Sequence, residues 1–460
     1  MFSLSTRERR PTLSLAAAVA AAGLVVAGAA APTPARAMAF SLPLGDADLT
    51  EVRSVQPLAR GVELVRIVRG VVPTTLAIPS LVTPRAPVER GTVLPDSVTS
   101  SGTPTDAVSS ALTATTTRGP WRVSILSVDP RIAGGHLRAT YGPDLSQVET
   151  TSELVRQSGA LAGVNASFFT FDKSPQYPGE PVGLGIYRGA VLSEPAAVRP
   201  EVDFVLDART SRVLVGRLTW TGSMKNRTTD VTLRLDHLNH PPVVPASCTK
   251  IVDPTTCTAS GDVVHVDRRF GPTPKGRGVE VVLDRSGCLV RLSKTRGTVL
   301  ASGQSAVQAT GRQTLKLLAL VKKGCLSRRV TLLDEKKKAV KLTSSTFGVA
   351  GRYRLTERGR VVVPRSSGSF FSRHPRTIAG QTSDGKILLV TIDGRQAGSV
   401  GATLSEAAAV AQALDLTDSV NLDGGGSTAM VAGGMLVNQP SGGIERRVGD
   451  ALVYVDKPFS

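Results

Sequence analysis

The run Asn421-Leu422-Asp423-Gly424-Gly425-Gly426-Ser427-Thr428 constrains this chain more than any other stretch, because it sets one carboxylate against three consecutive glycines at the end of an apolar segment. Val420 and Leu422 read as the close of a buried strand. The glycines that follow permit backbone conformations and close approaches that side chains would block. Their N–H groups can form an anion-binding nest beside Asp423. A glycine-rich hairpin turn is the alternative reading, and the residues upstream weigh against it.

Residues 387–392 form a nearly continuous apolar run between turn signals at Ser383-Asp384-Gly385 and Asp393-Gly394, the pattern of a strand buried on both faces. Thr403 with Glu406 three residues on makes a capping box. Leu404, Ala408, Ala411 and Leu414 then lay an apolar stripe along the helix it opens. A strand over 419–422, a hairpin over 429–437 about Gly433-Gly434 and a closing strand over 451–455 complete this part. Upstream, 122–128 alternates as a strand, 144–159 has helical spacing with Gly159 as a stop, and 161–165 is a short strand that delivers Asn165 to its end. From 235 to 363 short β-rich runs alternate with glycines and lysines. The expected fold class is α+β: a β-rich mixed sheet packed with few helices in one large domain over 118–460, with 235–363 as its basic β-rich middle segment.

The first residues predict export. Arg7, Arg9 and Arg10 precede an apolar stretch over 13–31 that ends at Ala35-Arg36-Ala37, so 1–37 reads as a signal peptide with the export route left open. No stable membrane insertion is expected after its removal, and the location is secreted or cell envelope. Residues 38–117 read as an N-terminal extension and linker, with an apolar run over 62–68 that can add a strand and a small-polar stretch over 97–117. Four cysteines, Cys248, Cys257, Cys288 and Cys325, fit two disulfides in an exported protein. Three pairings are open, with Cys248–Cys257 the preferred local one. The cysteines lack CxxC spacing, which argues against a metal site, and neither metal nor cofactor is expected.

A net charge of +18 suggests nucleic acid until it is located. Residues 209–365 carry 30 Lys/Arg against 10 Asp/Glu, which leaves 25 against 27 elsewhere. Aromatic residues are only 4% of the chain, so there is little to stack on bases, and no nucleic-acid partner is expected. A basic extracytoplasmic face suits an anionic cell-envelope polymer, with a partnerless solvated surface as the alternative.

Four ordered motifs carry a resemblance. They are Gly163-Val164-Asn165-Ala166-Ser167-Phe168-Phe169; Arg376-Thr377-Ile378-Ala379-Gly380 with the Asp393-Gly394-Arg395 turn; the Asp423 run; and Val437-Asn438-Gln439-Pro440-Ser441 with Glu445-Arg446. Together they resemble the phosphodiester glycosidase family, which includes an enzyme that removes N-acetylglucosamine from a phosphodiester. Ala166 and Ser167 stand where the family's Asn-Gly-Gly-Phe-Phe motif has glycines.

The resemblance implies a carbohydrate phosphodiester substrate, a sugar joined through its anomeric oxygen to phosphate. Because a phosphate monoester is already a good leaving group, the site needs charge stabilisation more than a strong proton donor. Asp423 is the candidate nucleophile or base, Asp393 the second carboxylate, and Arg395 a catalytic partner to the phosphate. Asp393-Gly394 also reads as an ordinary turn dipeptide. Substrate contacts are expected from Asn165, Phe169, Arg376, Thr377, Gly424, Gly425, Gly426 and Ser427. No histidine sits in a recognisable base motif, so a serine triad is not expected. A non-catalytic module that binds acidic polysaccharide is the competing class.

Overall fold

A computed structural model describes residues 41–70, 118–171 and 173–460. The expected signal peptide and the 97–117 linker lie outside the described residues. The architecture is β-rich α+β, with several sheets and, among the described residues, three α-helices: α1 (Thr151–Gln157), α2 (Gln313–Leu320) and α3 (Leu404–Ala413).

The largest sheet runs in the order Glu51–Ala59, Val62–Arg69, Trp121–Val128, Ile387–Ile392, Arg376–Thr382, Leu416–Asn421, Arg354–Glu357, Arg360–Val361. Its centre is the apolar run Ile387–Ile392, buried at all six positions between antiparallel neighbours, as continuous hydrophobicity requires. Truncating a residue such as Leu389 there costs about 2–5 kcal/mol, the usual penalty of a core cavity. Residues 51–69 form a hairpin on this sheet, with Val65 opposite Ile125, so folded structure begins well before residue 118. A second sheet, Met435–Leu436, Met430–Ala432, Ala162–Asn165, Asp450–Val455, His136–Tyr141, carries Asn165. Gly433 and Gly434 turn its first hairpin with φ of 58° and 78°.

Both capping boxes are local sequence effects: Thr150 with Glu153 opens α1, and Thr403 with Glu406 opens α3. The helix expected over 144–159 is shorter than its pattern. Asp144 turns back to accept the Ser146 N–H and hydroxyl, and Glu149–Thr150 pairs with Arg447–Val448, so only Thr151–Gln157 is helical.

The middle segment is woven into the same core. In the strand Val263–Asp267, Val264 and Val266 join the central cluster, while Val263 faces a second cluster with Val281 and Leu332. The Cys248–Cys257 and Cys288–Cys325 disulfides close loops within this segment, with Cα atoms 5.6 and 4.2 Å apart. Among the described residues no helix is long and apolar enough to cross a membrane.

Candidate active site

Strand register brings the motifs to one rim. Arg376 lies opposite Ile392, which Asp393 follows, and Ile378 lies opposite Asn421, which leads into Asp423. The second sheet reaches this rim through Ala166, whose carbonyl accepts the Asp423 N–H at 2.9 Å. Asn165 completes the junction. Its Nδ2 donates to the Asp423 carbonyl at 2.7 Å, and its Oδ1 accepts from Thr377 Oγ1 at 2.8 Å and Ala429 N at 3.1 Å. With both ends of the amide engaged and the residue fully buried, Asn165 acts as a brace between sheets rather than a sugar contact, and Thr377 shares that part.

Asp423 is half-buried at the start of the glycine turn. Burial pushes its carboxyl up to about 6, against the opposing pull of the Ser427 hydroxyl, the Gly424 N–H and the charges of Arg446 and Arg352. Gly424 N donates to Asp423 Oδ1 at 2.9 Å, and Gly425 N donates to the Pro375 carbonyl at 2.9 Å. Two of the three glycine N–H groups are therefore committed to the turn, which corrects the expected anion nest. The glycines serve arginines instead. A Cβ built on Gly426 would lie 2.5 Å from Arg446 Nη2, and one on Gly425, whose φ is +59°, would lie 3.4 Å from the Arg395 guanidinium.

Arg395 is exposed, and its Nε and Nη2 lie 3.2 and 3.0 Å from His374 Nδ1. His374 Nε2 sits 2.6 Å from the Ser369 carbonyl, a contact that requires the proton on Nε2 and leaves Nδ1 as an acceptor for Arg395. Burial lowers the His374 pKa further, which favours this neutral tautomer.

Arg376 is 2% exposed and gives Nε to Ala402 O at 3.0 Å and Nη2 to Phe370 O and Ser372 O at 2.7 and 2.8 Å. It holds the 370–372 segment in place, a correction to the expected substrate contact. Asp393 is also engaged on both oxygens, by Asn438 Nδ2 at 2.9 Å and Gln439 N at 3.0 Å. Burial raises its pKa to about 6. Its partners are thus the Asn438-Gln439 motif, and it shares no hydrogen-bond partner with Asp423.

Aromatic rings line the arginine side of this rim, around Arg352, whose charge acts on Asp423. Phe168 lies under Arg352, whose guanidinium carbon is 4.5 Å from the ring centroid, and Phe370 packs with Tyr353 at 5.2 Å and takes Arg376 over its face at 5.3 Å. Arg352 is also held by Glu201 at 2.7 Å. Phe169, the expected substrate contact, instead packs with the cluster under α1. The departure at Ala166-Ser167 is explained by Asp450: buried, it accepts the Ser167 N–H and hydroxyl at 2.6 and 2.8 Å and the Tyr187 hydroxyl at 2.8 Å, work a glycine could not do through a side chain.

Sequence reasoning assigned no role to Arg446, Arg352, His374, Phe168 or Phe370. Arg446 had a signal in Glu445-Arg446: Glu445 anchors its loop to the first turn of α1 through Ser152 N and Oγ at 2.8 and 2.7 Å, which sets Arg446 against Gly426. Arg352 had none, because its place comes from strand pairing far along the chain.

Comparison with known proteins bears on family and fold. The phosphodiester glycosidase family model matches residues 277–455, which include Arg352, Asp393, Asp423 and Arg446 but not the Asn165 motif. A Burkholderia pseudomallei protein assigned as exported has the same fold, with 26% identity and a TM-score of 0.69 over 91% of this chain and 98% of that one. A Synechocystis protein of undescribed activity shares the fold at 17% identity and a TM-score of 0.58, over 88% of this chain and 76% of that one. An uncharacterized SPbeta prophage-derived protein of Bacillus subtilis is 39% identical over 80 residues, which is 17% of this chain and spans only 12% of that relative's length. Residues 277–455, which hold the Asp393, Asp423 and Arg446 motifs, are thus a match to the phosphodiester glycosidase family.

Proposed function

We propose that this is an exported glycoside hydrolase that cleaves the glycosyl–oxygen bond of a sugar-1-phosphodiester in an envelope or extracellular glycan. One observation carries the reading: a half-buried carboxylate, Asp423, feels the charges of Arg446 and of Arg352, which stacks on Phe168, and it opens a glycine turn whose Gly425 and Gly426 pack against Arg395 and Arg446. Aromatic faces suit the apolar side of a sugar ring, and arginines suit phosphate.

In this reaction the bond from the anomeric carbon to the phosphate oxygen breaks, and the phosphate monoester leaves with the electron pair. Water supplies the oxygen that ends on the sugar, and its proton is lost. Asp423 supplies the carboxylate at the anomeric carbon, as nucleophile or as base for that water. Arg446 and Arg395 neutralise the departing phosphate, and His374, through its lone pair on Nδ1, is a positioning residue for Arg395. The two disulfides and the exported relative support an extracytoplasmic site of action. A panel of sugar-1-phosphodiesters and aryl glycosides incubated with the mature protein tests the proposal. Free sugar and a phosphate monoester should appear from the phosphodiesters, and release from none of them would overturn it.

A further inference from the structure

The basic excess of the middle segment becomes a surface once strand register is applied. Thr219–Asn226 is the centre of a three-stranded antiparallel sheet, between Thr232–Leu235 and Leu326–Leu333. Alternation sorts it cleanly. Met224, Leu233, Leu235, Leu326 and Leu332 are buried in one apolar cluster, which fixes the inner face. Arg328, opposite Met224, and Val330, opposite Gly222, share that inner side, and the outer face carries the alternate residues of each strand.

Register then gives rows across that outer face. Ser223 lies opposite both Arg234 and Arg329, Lys225 lies opposite Thr232 and Ser327, and Thr221 lies opposite Thr331. Arg234, Arg329, Lys225, Thr232 and Thr221 are exposed. These rows contain hydroxyls and cations and no carboxylate. Asp230, in the turn between the first two strands, does reach Lys225 at 2.7 Å, an exposed pair that water screens strongly. Lys322 and Lys323, in the loop before Leu326–Leu333, are also exposed.

Arg234 and Arg329 sit one strand either side of Ser223, so their Cα atoms are about 10 Å apart, and successive outward rows are about 7 Å apart. Such a grid meets a chain with anionic groups at sugar-residue spacing, while the threonines and serines offer hydrogen bonds to ring hydroxyls. Trp220, the aromatic of these strands, packs on the inner side, so the face has no platform for unstacked bases.

We propose that this outer sheet face binds an anionic polysaccharide, through charge complementarity and hydroxyl contacts, as a surface separate from the Asp423 rim. The test compares wild-type full-length mature protein with R234E/K225E/R329E, with the milder R234Q/R329Q, and with K336E/K337E/K338E. The last reverses the same number of charges at an exposed turn beyond the sheet. Binding to polygalacturonate, to neutral dextran and to duplex DNA is measured across a salt series, with hydrolysis of a small sugar-1-phosphodiester in parallel and thermal melting as the folding control.

The expected result is polygalacturonate binding by wild type that weakens with salt, at least tenfold loss in the face triple and an intermediate loss in R234Q/R329Q. The turn triple should change by less than threefold, dextran should not bind, and hydrolysis should be unaltered throughout. The proposal is overturned if wild type does not retain polygalacturonate, if the two triples lose binding equally, or if DNA binds more tightly than the polysaccharide. If the face triple unfolds, R234Q/R329Q decides alone, and unchanged binding in it rejects the proposal.

Discussion

Arg446 and Gly426 are in contact in this structure: the guanidinium occupies the space where any side chain at position 426 would begin, 2.5 Å from a built Cβ. The third glycine of the turn is thereby tied to a cation that acts on Asp423. Gly426→Ala should push the flexible end of Arg446 aside without backbone strain, since Gly426 is not in the left-handed region. We expect kcat/KM on a sugar-1-phosphodiester to fall about tenfold, or about 1.4 kcal/mol in transition-state stabilisation, with a melting temperature close to wild type. Unchanged kinetics would remove Arg446 from the phosphate site.

The two arginines of the Arg376 and Arg395 motifs should behave differently. Arg376 serves three carbonyls inside the protein, so Arg376→Lys should destabilise by about 1–3 kcal/mol through lost and unsatisfied hydrogen bonds. Any kinetic loss should be similar on phosphodiester and aryl glycoside. Arg395→Lys should leave melting nearly unchanged and depress turnover of the phosphodiester selectively. Parallel steady-state kinetics and thermal melts separate the two outcomes.

Much of this was legible from sequence, and the limits have physical causes. The Thr403–Glu406 capping box, the Ile387–Ile392 strand and the Gly433-Gly434 hairpin are local, set by neighbours within a few residues, and they appear where the pattern places them. The rim could be anticipated because strand ends carry turn chemistry. What each polar residue does there could not, because Asn165 and Asp393 find partners 258 and 45 residues away, and Arg376 joins one 26 residues away to two in a loop whose path the sequence does not mark. A motif marks a residue as constrained, and only its contacts distinguish a brace from a ligand contact. Phe168 and Phe169 show this most simply: adjacent aromatics on a turn point to opposite environments, one under Arg352 and one into the α1 cluster.

The pKa shifts of Asp393 and Asp423 give a pH dependence with a definite sign. Both carboxyls are raised by burial from 3.8 to about 6, so the folded state binds more protons than the unfolded chain between those values. Their contribution to stability should therefore be greatest below about pH 4 and decline as pH rises through about 6. Asp393→Asn should flatten that decline in chemical denaturation curves at pH 4, 5, 6 and 7. The same wild-type slope in the variant would show that Asp393 does not titrate there. Activity should move the opposite way, with kcat/KM rising through an apparent pKa near 6 as Asp423 ionises.

The disulfides should differ in weight. Cys288 and Cys325 are 37 residues apart and Cys248 and Cys257 only 9, so the loop-closure argument assigns about 4 and about 3 kcal/mol. Paired serine variants should melt in that order, and denatured wild-type protein should show no free thiol. Four titratable thiols would contradict both bridges.

The most direct test of the central assignment is Asp423→Asn, which keeps shape and removes charge. Steady-state turnover of a sugar-1-phosphodiester should fall by at least ~10²-fold, with the melting temperature at neutral pH equal to or above wild type because a charge that burial disfavours has been removed. A folded Asp423→Asn variant that turns over at a near-normal rate would contradict the account.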